Sequence, residues 1–188
     1  MTCLLLYKAI AAGDFGGPLE HGRLIGNFQL VQPLGKGGMG ETWLVRHVRF
    51  KNFRVMKFIL TQDRSPEEIE HYAQRFVREQ DISHRLSELA ERVPEGIYRP
   101  KVLKVVDGAD AKPGVHPAYL ATEHIQGSGL DQLIRTQQRD RQVEDIDWAI
   151  MMVKVTIEIL KQLNFAHNLS KSFPDERDIV HRDIKPAN

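Results

Sequence analysis

The residues with the clearest chemical content are the last eight, His181-Arg182-Asp183-Ile184-Lys185-Pro186-Ala187-Asn188. A carboxylate at Asp183 can orient an acceptor hydroxyl and take its proton, Lys185 can balance charge on a group in transfer, and the Asn188 side-chain oxygen can ligate magnesium. Five specified residue types at set spacing make phosphoryl transfer from ATP a better reading than a polar loop following a helix.

Two upstream features fit the same chemistry. Gly35-Lys36-Gly37-Gly38-Met39-Gly40 matches GxGxxG, a pattern that any tight glycine turn can produce and that also suits a hairpin without a ligand. Its context separates it from a dinucleotide-binding fold. There the glycines stand between a strand and a helix, whereas here Glu41-Thr42-Trp43-Leu44-Val45 continues as strand, giving a hairpin able to lie over phosphates. Lys57 falls inside an apolar strand, Arg54 to Leu60, where an ammonium is costly to bury without an anion. It could be an edge residue facing water. Alternatively Glu79, on the helix that follows, could hold it and aim it at phosphate oxygens.

The elements that must position these groups can be read from pattern. Strands are expected over Phe28–Leu34, Thr42–Val48, Arg54–Leu60, Lys101–Val106 and Ala118–Ile125, the first three forming an antiparallel meander. Asp107 to Pro117 reads as turn. Ser65-Pro66-Glu67-Glu68 is a helix start, with a capping serine, proline at the first helical position and acids in the first turn; that helix should run to about Glu91. Gly127-Ser128-Gly129 breaks the chain. A second helix is expected from Asp147 to about His167, apolar around much of its axis and therefore buried on most sides. A polar insert, Asn168 to Asp178, leads to the terminal motif.

Composition sets the bounds. The chain has 188 residues, 41% of them hydrophobic, enough for a core. Lysine plus arginine (26) nearly cancel aspartate plus glutamate (25), for a net +1. No basic block interleaves with aromatics in the manner of a nucleic-acid groove, so no nucleic-acid partner is expected. The single cysteine, Cys3, allows no internal disulfide, and the histidines show no metal-ligand spacing. The apolar run Leu4 to Leu6 is too short for a secretory signal or a membrane span. A cytoplasmic setting is expected, and an anchor beyond residue 188 is compatible with it.

With these motifs in this order, the chain resembles a serine/threonine protein kinase of the eukaryotic type that bacteria encode, from about Ile25 to Asn188. The resemblance implies an α+β, protein-kinase-like fold: a small lobe of a five-stranded antiparallel sheet plus one helix, then the first helices of a helical large lobe. Residues 1–26 would be an extension, 27–126 the small lobe and hinge, and 127–188 the start of the large lobe. Gly35, Lys36, Gly37, Gly38 and Gly40 would cover the phosphates, with Thr42 and Val55 over adenine. Lys57, paired with Glu79, would contact the α- and β-phosphates. Tyr119 to Ile125 resembles the hinge, making Thr122 the gatekeeper and giving adenine the backbone of Glu123 and Ile125. Asp183 would be the catalytic aspartate, Lys185 the γ-phosphate lysine and Asn188 a Mg2+ ligand. ATP, Mg2+ and a protein carrying Ser or Thr hydroxyls are the implied cofactors and partners.

Some positions depart from the family. Thr42 stands for the usual valine and Val55 for the usual alanine, which alters the nucleotide roof, and Ser83 is polar where an apolar side chain is common. Nothing after Asn188 supplies an Asp-Phe-Gly magnesium site or an activation segment. The sequence is therefore expected to be truncated and to transfer little or no phosphate as it stands. The other reading is a pseudokinase, or a nucleotide-binding regulatory module without catalysis.

Overall fold

The structure is a computed structural model, described over residues 16–37, 40–59, 65–94, 101–141 and 143–170. Two compact units divide the chain, one formed by residues up to Glu88 together with Leu103–His124, the other by Leu89–Val102 and Ile125 onward.

The first unit is built on an antiparallel sheet. Its strands are β1 (Leu24–Ile25), β2 (Phe28–Gly37), β3 (Gly40–His47), β4 (Phe53–Ile59), β5 (Val105–Ala109) and β6 (Tyr119–Glu123), and helix α1 (Pro66–Arg92) follows β4 in sequence. The spatial order is β1-β2-β3-β4-β6-β5. All five expected strands are present, and the two-residue β1 adds a sixth at the edge by pairing Leu24 with Gln29 and Ile25 with Phe28.

Because side chains alternate along a strand, cross-strand register assigns every residue to a face. One face gathers Ile25, Phe28, Leu30, Trp43, Val45, Met56, Phe58, Tyr119 and Ala121, all buried. The opposite face carries Ile59 and Leu120, against which α1 packs Ile69, Ala73 and Phe76. These helix positions recur at intervals of three and four, the spacing of one helical stripe. The helix begins as its sequence dictates: Ser65 Oγ accepts the Glu68 N–H (3.3 Å), and Glu68 returns a carboxylate oxygen to the Ser65 N–H (2.9 Å), a reciprocal capping box. Gln80 Nε2 donates to the Tyr119 carbonyl (2.9 Å) and ties the middle of α1 to β6.

The fifth element departs from expectation. Lys101–Lys104 is not strand, and β5 runs over Val105–Ala109, sharing Val105 and Val106 with the expected strand and continuing into the stretch read as turn. A register irregularity between Val105 and Asp107 lets the strand keep pairing with β6. There Asp107 takes the Gly108 N–H (2.8 Å) and the Tyr119 hydroxyl (3.3 Å), local bonds that offset its poor strand propensity. Burial foremost, then the Asp107 charge and hydrogen bond, push the Tyr119 phenol up to about 12.

The second unit holds helices α2 (Leu130–Asp140) and α3 (Asp145–Ser170). Helix α2 falls where no helix was read from pattern, although the resemblance implied more than one helix in this part of the chain. It is polar, starting after Gly129 with Asp131 in its first turn and ending where Arg141 turns left-handed at φ 43°. Its one buried side chain, Gln137, donates to the Val143 carbonyl and accepts the Val143 N–H (3.1 Å). The expectation that α3 is buried on most sides fails among the described residues, where none of its side chains is buried. Ile146, Ile150, Val153, Ile157 and Leu160 form an exposed apolar stripe at alternating intervals of four and three. Composition signals how much apolar surface the helix has, and only a packing partner can cover it. No helix among the described residues is long and apolar enough to cross a membrane.

Candidate nucleotide site

The glycine-rich hairpin joins β2 to β3. Gly35 pairs with Thr42, Lys36 with Glu41 and Gly37 with Gly40; Gly38 and Met39 lie outside the described residues. The glycines differ in what demands them. A Cβ on Gly40, at φ 150°, would sit 1.8 Å from the Phe58 carbonyl oxygen, so the neighbouring strand excludes any side chain there. A Cβ on Gly35 or Gly37 would meet no atom within 4 Å. The chain's own packing therefore does not require glycine at those two positions, and close backbone approach by a ligand would.

Across the sheet, Gly35, Thr42, Lys57 and Leu120 form one row of register partners, and Gln32, Leu44, Val55, Thr122 and Val105 form the next. Thr42, Val55, Lys57 and Thr122 consequently share one face. On the other face Val45, Met56 and Phe58 are wholly buried, whereas Thr42, Leu44, Val55 and Lys57 are only partly covered. Helix α1 covers this face at its Ile59 and Leu120 end and leaves the Leu44 and Val55 end as a half-open apolar platform.

Helix α1 also meets Lys57. The ammonium donates to both Glu79 carboxylate oxygens, at 2.6 and 2.7 Å, and the two side chains keep 32% and 38% of their exposure. Such a bidentate, half-exposed pair fixes the lysine's direction while leaving it reachable by another anion. Gln80, the next residue, holds the helix to β6 and so sets the reach of Glu79. Sequence reading missed Gln80, whose amide contacts a backbone carbonyl that no motif announces.

A second polar contact braces the hairpin. Lys36 Nζ lies 3.0 Å from Glu41, whose other carboxylate oxygen accepts the Trp43 indole N–H at 3.0 Å. Partial burial would raise the Glu41 carboxyl, but the Trp43 hydrogen bond and the Lys36 charge outweigh it and hold the group below its usual range. This contact was also missed, although the register that sets Gly37 opposite Gly40 makes Lys36 and Glu41 direct cross-strand neighbours.

Thr122 is buried and Glu123 half-buried at the end of β6. The Glu123 N–H donates to the Lys104 carbonyl (2.9 Å) and its carboxylate accepts the Lys104 N–H (2.9 Å). Ile125 is 68% exposed. Asp183, Lys185 and Asn188 lie outside the described residues, as does Gly38. Among the described residues, no group of three or more His, Cys, Asp or Glu side chains could hold a metal ion.

No protein-family model matches the chain. It is 28% identical over 171 residues to the serine/threonine-protein kinase PknF of Mycobacterium tuberculosis, covering 91% of this chain and 30% of that protein. A probable serine/threonine-protein kinase of Streptomyces coelicolor is 29% identical over 176 residues, with 90% of this chain and 21% of the relative covered. The chain thus spans a third or less of the length of these relatives. Among solved structures, the M. tuberculosis PknI kinase domain superposes with a TM-score of 0.56 at 22% identity, covering 91% of this chain and 56% of that one. The kinase domain of PF14_0431 gives 0.64 at 21% identity, covering 92% and 42%.

Proposed function

Proceeding from a chain whose homologues are bacterial serine/threonine protein kinases and whose fold is that of their kinase domain, we propose that it carries the nucleotide-binding part of a protein kinase. In the whole protein, MgATP would supply a γ-phosphate to Ser or Thr hydroxyls of a protein substrate. The observation that carries this reading is the Lys57–Glu79 ion pair, standing in the same row as Thr42 and Gly35 on the half-open face of the sheet.

In this reading the hairpin backbone at Gly35 and Gly37 approaches the phosphates, and Lys57, aimed by Glu79, meets the α- and β-phosphate oxygens. Adenine lies against Leu44 and Val55, with Thr122 as gatekeeper. The Glu123 carbonyl accepts from the base and the Ile125 N–H donates to it. Asn188 would be a ligand for magnesium, which would supply positive charge against the phosphates. Asp183 orients the acceptor hydroxyl and accepts its proton, and Lys185 balances charge on the transferred group.

The test pairs binding with transfer. Titration with a non-hydrolysable MgATP analogue should stabilise the chain thermally, and Lys57→Met should abolish that shift. In a protein extended to the length of the relatives, labelled phosphate should reach a Ser- or Thr-containing acceptor, and Asp183→Asn should stop it. Binding without any transfer by the extended protein would favour a regulatory nucleotide-binding module, and absence of both would refute the kinase reading.

A further inference from the structure

The turn between β3 and β4 carries a feature that nucleotide binding does not use. Within the nine residues Arg46-His47-Val48-Arg49-Phe50-Lys51-Asn52-Phe53-Arg54 stand four permanent cations and no acid, in a chain whose net charge is only +1. Among the described residues, none of the four forms an ion pair. Arg46 donates to the Lys51 carbonyl (3.3 Å) and Arg54 to the Phe53 carbonyl (2.8 Å), and Arg49 lies 5.6 Å from the centre of the Phe50 ring. The nearest carboxylate in register, Glu123 opposite Arg54, is occupied by the Lys104 N–H. At the apex, Phe50 is 67% exposed and Val48 38%.

The turn is also preformed. His47 Nδ1 accepts the backbone N–H groups of Arg49 (3.1 Å) and Phe50 (3.2 Å), and its carbonyl accepts the Lys51 N–H (2.9 Å). The His47 ring packs between Phe28 and Phe50, at 5.2 and 4.6 Å between centroids. Lys51 sits at φ 59°, which reverses the chain. Little ordering cost remains when this tip meets a partner.

We propose that the β3–β4 tip docks on an anionic membrane surface, with Phe50 and Val48 entering the headgroup boundary and Arg46, Arg49, Lys51 and Arg54 contacting lipid phosphates. An exposed apolar apex ringed by cations is the combination that interfacial binding uses. Single-stranded nucleic acid fits less well. It needs a groove lined by several stacking aromatics, whereas this tip is a turn at the end of a hairpin. Contact of this kind requires no spanning helix.

The 188-residue chain should co-sediment with vesicles containing phosphatidylglycerol and not with phosphatidylcholine alone, and salt should weaken the binding. Each cation removed near such a surface is worth about fivefold in partitioning, so Arg49→Gln with Lys51→Asn should lower it by roughly 25-fold. Arg49→Lys should preserve it, and Phe50→Ser should lower it while leaving the salt dependence intact. If the double variant loses its native circular dichroism, Arg46→Gln with Arg49→Gln carries the same test. Equal partitioning of wild type and charge variants would overturn the proposal. So would an RNA oligonucleotide or polyglutamate that binds the tip more tightly than the vesicles do.

Discussion

The sheet unit and helix α3 use apolar residues in opposite ways. Between Ile25 and Ala121 the sheet buries both of its faces, one in the Phe28–Trp43–Phe58 cluster and the other beneath α1. Helix α3 has a higher density of large apolar side chains, yet none of those described is buried. Hydrophobic content alone does not make a core; alternation along β2, β3 and β4 matched to register does. The half-covered face around Thr42, Leu44 and Val55 is one place where the sheet departs from this burial, and the far end of β2 is another. On α3, exposure is the rule.

The sharpest way to break this contrast is a pair of truncations. Phe76→Ala, beneath the sheet, should cost about 3–5 kcal/mol, whereas Ile157→Ser on the α3 stripe should stay within about 0.5 kcal/mol. Urea unfolding of both variants measures the difference, and comparable losses would mean that α3 is packed. Next in size, Gly40→Ala forces a Cβ onto the Phe58 carbonyl. We expect a loss of about 1–3 kcal/mol and faster hydrogen exchange along β3 and β4, while Gly37→Ala, facing open space, should change stability by less than about 1 kcal/mol.

A smaller effect is expected from Gln80→Ala, which removes one half-buried hydrogen bond between α1 and β6. It should cost about 1 kcal/mol and weaken nucleotide binding through Glu79, visible as a reduced ligand-induced thermal shift. Smallest is the alkaline response of Tyr119. Its phenol is pushed from the ordinary value of 10.0 to about 12, so the folded state keeps its proton after the unfolded chain has lost it. The stability this contributes is fully present below pH 10.0 and is lost as pH rises toward about 12. Tyr119→Phe should flatten that alkaline decline in a melting-temperature profile, and an unchanged profile would place the titrating group elsewhere.

Much of the sheet was legible because β2, β3 and β4 alternate apolar and polar residues and glycines punctuate them. Strand β5 was displaced from Lys101–Val106 because Asp107 and Gly108 look like turn, and only their bonds to neighbouring groups make them strand. Helix α2 was passed over because its sequence, Leu-Asp-Gln-Leu-Ile-Arg-Thr-Gln-Gln-Arg-Asp, is mostly polar. Its Leu130, Leu133 and Ile134, at helical spacing, were the available signal. At the site, the chain order of glycine loop, lysine and helix glutamate could be read directly. The Lys36–Glu41–Trp43 contact and the Gln80 anchor could not, since both depend on which residues the register sets opposite one another.

The central claim is that Lys57, held by Glu79, binds nucleotide phosphate on the open face beneath the glycine hairpin. Isothermal titration of the chain with a non-hydrolysable MgATP analogue tests it most directly, alongside Glu79→Gln and Lys57→Met. The account predicts saturable binding that weakens by tenfold or more when Glu79 loses its charge and vanishes without Lys57, with adenosine alone binding far more weakly. Equal affinity in wild type and Lys57→Met would contradict it.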